Sequence, residues 1–169
     1  MSYTTIAAAY ADGILKPYKD FRNGWGGAPF IWDALAMKYN LGTNSLEAWP
    51  TLFQAVENNT ITLEPYEWNA LETTQPFRVV HHDNMPTIAN SLEHFWRKNT
   101  HRFSTTRICH LPDQTLTIRE LHTSKALFIA WNQTSVDSCW WSHFDPTTEE
   151  TLPYNVLTET KHKIIQPLV

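Results

Sequence analysis

Apolar positions recur at helical spacing through the front of the chain and at strand spacing through its rear. Phe30, Ile31, Ala34, Leu35 and Met37 put one apolar stripe on a helix that opens behind Gly24-Trp25-Gly26-Gly27. Pro29 suits its first turn, where a missing N–H is harmless, and Gly42 is the expected stop. Leu46, Trp49, Leu52, Phe53 and Val56 predict a second helix. Pro50 sets its regular start near Trp49, because proline inside a helix costs about 3 kcal/mol. Pro65 opens a third helix carrying Trp68 and Leu71, and Phe77 to His81 reads as a short strand. Asp83 or Asn84 caps a fourth helix with Pro86 in its first turn. Ile88, Leu92, Phe95 and Trp96 line its buried face, with Asn90, Glu93 and Arg97 turned outward.

From Phe103 the period shortens. Residues 103–111 and 115–121 read as strands around the turn signal Pro112-Asp113-Gln114, with Leu116 and Ile118 alternating against Thr115, Thr117 and Arg119. The apolar run 126–131 suits a central strand, and 136–144 is expected to pair with it across 132–135. A last short strand falls at 163–165. Residues 4–11 fit either a short helix or an edge strand, and Gly13 and Pro17 end any long element there. The expected fold is therefore a single α+β domain over 1–169, helix-rich in 28–99 and strand-rich in 100–169. Its N-terminal helices pack on one face of a mostly antiparallel sheet of about four to five strands.

A length of 169 residues allows one such core without disulfides or metal, and eight tryptophans enlarge it. The net charge of −4 argues against nucleic acid as a partner, and the best local basic group, Arg97, Lys98, Arg102 and Arg107, reads as a solvated helix end. The carboxylates are too few for a nucleic-acid mimic. No stretch has the length of a membrane span, and the start of the chain lacks a basic, then long apolar, signal. The expected setting is cytoplasmic, with Cys109 and Cys139 as reduced thiols and the two Asn-x-Thr sequons as chance matches.

The Gly24–Gly27 cluster is where the backbone demands most freedom. A helix N-terminus behind it can hold an anion, with Arg22 and Lys19 adding charge. Neither a P-loop nor a dinucleotide fingerprint is present, so the competing reading is a tight loop that seats Trp25. His81-His82-Asp83 joins a strand end to a helix cap; an imidazole there can act as general base, yet neighbours on a strand face opposite sides. His122-Thr123-Ser124 resembles one half of a two-histidine phosphoesterase signature, and its second copy is missing. Cys109-His110 and Cys139-x-x-x-His143 supply zinc-type ligands, but a strand separates Cys139 from His143 by roughly 13 Å. No metal or other cofactor is expected. Trp140 and Trp141 on one strand point to opposite faces: one joins the core, and the other is either covered by a helix or an exposed binding anchor.

With no convincing catalytic set, the sequence reads as a small intracellular protein acting by protein–protein binding, of the regulator, phage-inhibitor or immunity type. The alternative is an enzyme or binding protein for a phosphorylated small molecule or nucleotide. It would use Gly24, Trp25, Gly26 and Gly27 with Arg22, and His81, His82 or His122 as proton carrier.

Overall fold

The computed structural model describes residues 2–42, 45–103, 109–133 and 139–169. It is a mixed α/β structure: among the described residues five strands form one sheet, two more form a hairpin, and there are five α-helices. The strands are β1 (Tyr3–Ala9), β2 (Lys16–Arg22), β3 (Arg78–His81), β4 (Phe128–Asn132), β5 (Ser142–Asp145), β6 (Glu150–Pro153) and β7 (Lys163–Ile164). The helices are α1 (Ala28–Lys38), α2 (Ser45–Glu57), α3 (Pro65–Glu72), α4 (Met85–Asn99) and α5 (Leu111–Thr123).

The sheet order is β2-β1-β4-β3-β7, antiparallel except for the parallel β3–β7 pair. Of residues 4–11, 4–9 belong not to a helix or an edge but to β1, which lies between β2 and β4, and Tyr10 and Ala11 follow it outside the strand. Consecutive alanines, Ala7 to Ala9, fit there because both sheet faces are buried. Ile6, Ala8, Val80, Ile129 and Trp131 point into the larger core, which side chains of all five helices join. Ala7, Ala9, Val79, Phe128 and Ala130 point into a second cluster closed by Leu15, Trp141, Tyr154 and Val156.

Residues 111–123 correct the strand-rich reading of the rear half. They form α5, with Pro112 in its first turn and Asp113 at its positive end. Leu111, Thr115, Ile118 and Leu121 are buried at helical spacing, while Leu116 is 58% exposed. The expected partner of β4 is also corrected. Its neighbours are β1 and β3, and within 136–144 only 139–144 is described, with β5 pairing β6 instead. The strand expected over 103–111 lies largely outside the described residues. Two smaller corrections concern helix ends. α2 starts at Ser45 and carries Pro50 inside it. α1 ends at Lys38 with Asn40 in the left-handed conformation (φ 54°), ahead of Gly42. Asparagine reaches that region more readily than other non-glycine residues. No helix among the described residues is long and apolar enough to cross a membrane.

Candidate functional site

The glycine loop closes the end of the sheet where β2 finishes. Asn23 turns the chain at φ 64°, and Gly24–Gly26 make one 3-10 turn before α1. The loop's glycine amides bond within the chain. Gly24 N–H meets the Ser2 carbonyl (3.3 Å) and Oγ (3.0 Å), Gly26 N–H the Asn23 carbonyl (2.9 Å), and Gly27 N–H the Gly24 carbonyl (3.1 Å). Gly27 is required by crowding: a Cβ there would stand 2.7 Å from His110 Cε1, 2.8 Å from Thr4 Oγ1 and 2.9 Å from Gln133 Oε1.

His110 is the histidine that meets this loop, and its position ahead of α5 was visible in the sequence only as a neighbour of Cys109. Its backbone N–H donates to the Gly26 carbonyl (3.2 Å), and its ring stacks on Phe21 (5.3 Å between centroids). Trp131 Nε1–H donates to Gln114 Oε1 (3.0 Å), which leaves the Gln114 amide nitrogen to donate to His110 Nδ1 (2.9 Å). An accepting Nδ1 puts the proton of the neutral ring on Nε2. That Nε2 is buried with no hydrogen-bond partner among the described residues. Burial pulls the His110 pKa down to about 4, outweighing the Asn23 carbonyl, which lies close enough to favour the charged ring but outside bonding geometry.

The structure separates the other histidines from the loop. His82 and His122 stack face to face, 4.3 Å apart and 17° from parallel, and His82 Nδ1–H donates to the Ala126 carbonyl (3.0 Å). His81 turns away, edge-on to Phe128 (5.3 Å), with its Nδ1 accepting from the Asp83 amide (3.3 Å). All three sit where β4 begins, whereas Gln133 and the glycine loop lie beyond its far end. Five residues of extended chain between them span roughly 16 Å. Arg22 is exposed at the end of the edge strand β2. Cys109 and Cys139 are half-buried and form no disulfide, and no three His, Cys, Asp or Glu side chains converge as a metal site among the described residues.

Trp140 and Trp141 lie in the turn before β5 rather than on opposite faces of a strand. Trp141 is 2% exposed in the second cluster, and half-buried Trp140 donates its Nε1–H to the Trp131 carbonyl (2.9 Å). The indole that stands in solvent is Trp25, 56% exposed on the glycine loop. It continues into a row of rings: Trp25 to Trp49 at 5.8 Å, Trp49 to Trp32 at 4.9 Å and Trp32 to Phe53 at 5.6 Å. Trp49 is pinned by its Nε1–H donating to Asp33 Oδ1 (2.6 Å). The row ends at an open cleft of about 330 Å³ walled by Trp32, Phe53, Trp131 and Trp140, with Thr74, Gln75 and Gln133 among its polar lining. Comparison with protein-family models, with curated proteins and with solved structures finds no significant match to this chain.

Proposed function

We propose that this protein is a small binding module that acts by protein–protein contact, in an intracellular setting, as a regulator or inhibitor of its partner. One observation carries the reading: a tryptophan more than half exposed, held out on a 3-10 turn whose glycine amides bond inside the chain, beside two further indoles. Tryptophan is the residue type most enriched at binding hot spots, and a rigid anchor loses little entropy on docking. The recognition anchor is thus Trp25 in place of Trp140 or Trp141. The phosphate alternative draws no support from the loop, since the amides of Gly24, Gly26 and Gly27 are occupied and His81, His82 and His122 lie at the other end of β4.

The test is cross-linking capture from host-cell extract, followed by binding of the purified partner to three forms of the protein. Trp25→Ala is expected to weaken binding by about 30-fold, the scale of a hot-spot residue. Leu116→Ala removes an equally exposed side chain on α5 and is expected to change nothing. Equal binding by the Trp25 variant, or equal loss in both, sinks the reading.

A further inference from the structure

We propose that the cleft walled by Trp32, Phe53, Trp131 and Trp140 is a receptor for an alkylated ammonium group, held through cation–π contact. The proposal goes beyond the Trp25 surface and concerns a different occupant. Four aromatic residues border a space of about 330 Å³, the lower end of the range typical of small-ligand sites, and because Trp131 is 2% exposed the ring faces on offer are those of Trp32, Phe53 and Trp140. Trp32 and Phe53 meet nearly at right angles, 78°, so they form a corner rather than a flat stack. Rings set at an angle around a common space are the arrangement by which proteins recognise quaternary ammonium groups.

The chemistry of the walls selects among the ligands that aromatic rings can take. An anion is excluded on charge: no lysine, arginine or histidine lines the cleft among the described residues, and the chain carries a net −4. A sugar or polyol needs donors and acceptors to match its hydroxyls, and the Thr74 and Gln133 side chains of the lining are engaged within the chain. The Thr74 hydroxyl donates to the Leu71 carbonyl (2.6 Å) and accepts from Trp32 Nε1 (3.0 Å) and Gln75 Nε2 (3.2 Å). The Gln133 amide donates to the Thr73 carbonyl (3.1 Å), and its oxygen accepts from Thr4 Oγ1 (3.3 Å). All three indole N–H groups are likewise turned into the protein: Trp32 to Thr74, Trp131 to Gln114 Oε1 and Trp140 to the Trp131 carbonyl. Beside Gln75 and Asn132, what the walls chiefly offer is π surface. A methylated ammonium suits it, because it carries a charge for the ring quadrupole and has few or no N–H groups to satisfy. The acidic chain and the uncharged walls favour that cation and repel none of it.

The experiment is an NMR shift titration of the ¹⁵N-labelled protein, read at the indole N–H resonances, at constant ionic strength. Choline and tetramethylammonium are the probes, and 3,3-dimethylbutan-1-ol is the uncharged isostere of choline. Saturable shifts at Trp32 and Trp140 are expected, with choline binding about tenfold more tightly than the alcohol, between the scales of an exposed and a desolvated cation–π contact. Phe53→Leu keeps an apolar side chain but loses a ring face. It is expected to weaken choline several-fold while leaving the alcohol unchanged. Trp140→Leu repeats the test on a second wall should the first variant fold poorly. Tighter binding of a trimethyllysine peptide than of choline upholds the proposal and puts the cation on a protein; the reverse upholds it and puts the cation on a small amine. Equal binding of choline and its isostere overturns it, as does the lack of saturable shifts up to about 100 mM. Trp25→Ala leaves choline binding intact, so either outcome is separable from the partner-capture test.

Discussion

His110, at the start of α5, is buried and must stay uncharged in the folded chain. Its ordinary pKa is 6.5, and burial lowers it to about 4 in the folded chain. As pH falls below 6.5 the unfolded chain takes up a proton that the folded one refuses until about pH 4. Stability is therefore full above pH 6.5, falls across that window by about 3 kcal/mol, and loses nothing further below it from this group. Urea unfolding of wild type and His110→Gln between pH 7 and pH 4 checks this: the variant is expected to lack that slope, whatever its absolute stability. Gly27 is the neighbour that makes room for the ring. Gly27→Ala drives a Cβ against His110, Thr4 and Gln133 at once. It is expected to cost about 1–3 kcal/mol, the range for overpacking, measured by the same unfolding assay. At this scale the sequence was legible where chemistry is local. The clustered glycines announced a forced backbone, but not that Trp25 stands 56% exposed on it rather than seated against the fold. The burial of His110 and Trp141 depends on which strands meet β4, and spacing along the chain carries no such information.

Among elements, α1 and α3 are joined by a link that is more than a surface ion pair. Glu67 is 1% exposed, and its Oε1 accepts from Lys38 Nζ (2.7 Å), Tyr39 OH (3.0 Å) and the Glu64 amide (3.2 Å). The Tyr39 hydroxyl is correspondingly pushed up to about 12, by burial first and then by this carboxylate. Partial burial pulls the Lys38 ammonium down, but the hydrogen bonds it donates to Glu64 and Glu67 outweigh this and raise it. Removing one side of a buried pair strands the other, so Lys38→Met is expected to destabilise by about 3 kcal/mol in thermal or urea unfolding. A loss under about 1 kcal/mol would mark the pair as an ordinary surface contact. The helices joined here were readable because each shows an apolar stripe with proline in its first turn. α5 was misread by the same signals. Pro112-Asp113-Gln114 serves a turn or a helix start equally well, and Leu116 and Ile118 alternate with threonines. The longer spacing of Leu111, Ile118 and Leu121 is what the core selects. β1 was ambiguous because alanine favours helices, whereas a centre buried on both faces needs small side chains.

At the scale of the molecule, the last stretch of chain closes the structure in two places. Tyr154 and Val156 help cover the second face of the sheet, and residues 163–168 cover the far edge of β3. Lys163 N–H bonds the Phe77 carbonyl (2.7 Å), and Ile165 N–H the Val79 carbonyl (2.8 Å). Ile165 itself is 2% exposed in the larger core. Asn69, 1% exposed, clamps Leu168 through paired 2.8 Å bonds to its N–H and carbonyl. The opposite edge, β2, is protected by its own sequence: Pro17 withholds a donor, and Lys16, Lys19 and Arg22 are exposed along it. β3 has no such guard, with Val79 and Val80 at its centre. Deleting 163–169 therefore removes a buried isoleucine and about four hydrogen bonds, worth about 3–5 kcal/mol together. For a chain of this size that lowers Tm by about 10 °C. It also bares an apolar strand edge, so the shortened protein is expected to self-associate with rising concentration. Differential scanning calorimetry and sedimentation velocity read the two effects separately. A truncated chain that melts like the intact one and stays equally dispersed would show β3 to be protected by its own short length. An Asn69→Ala variant that melts lower without associating would confirm that the edge, rather than the lost stability alone, drives assembly.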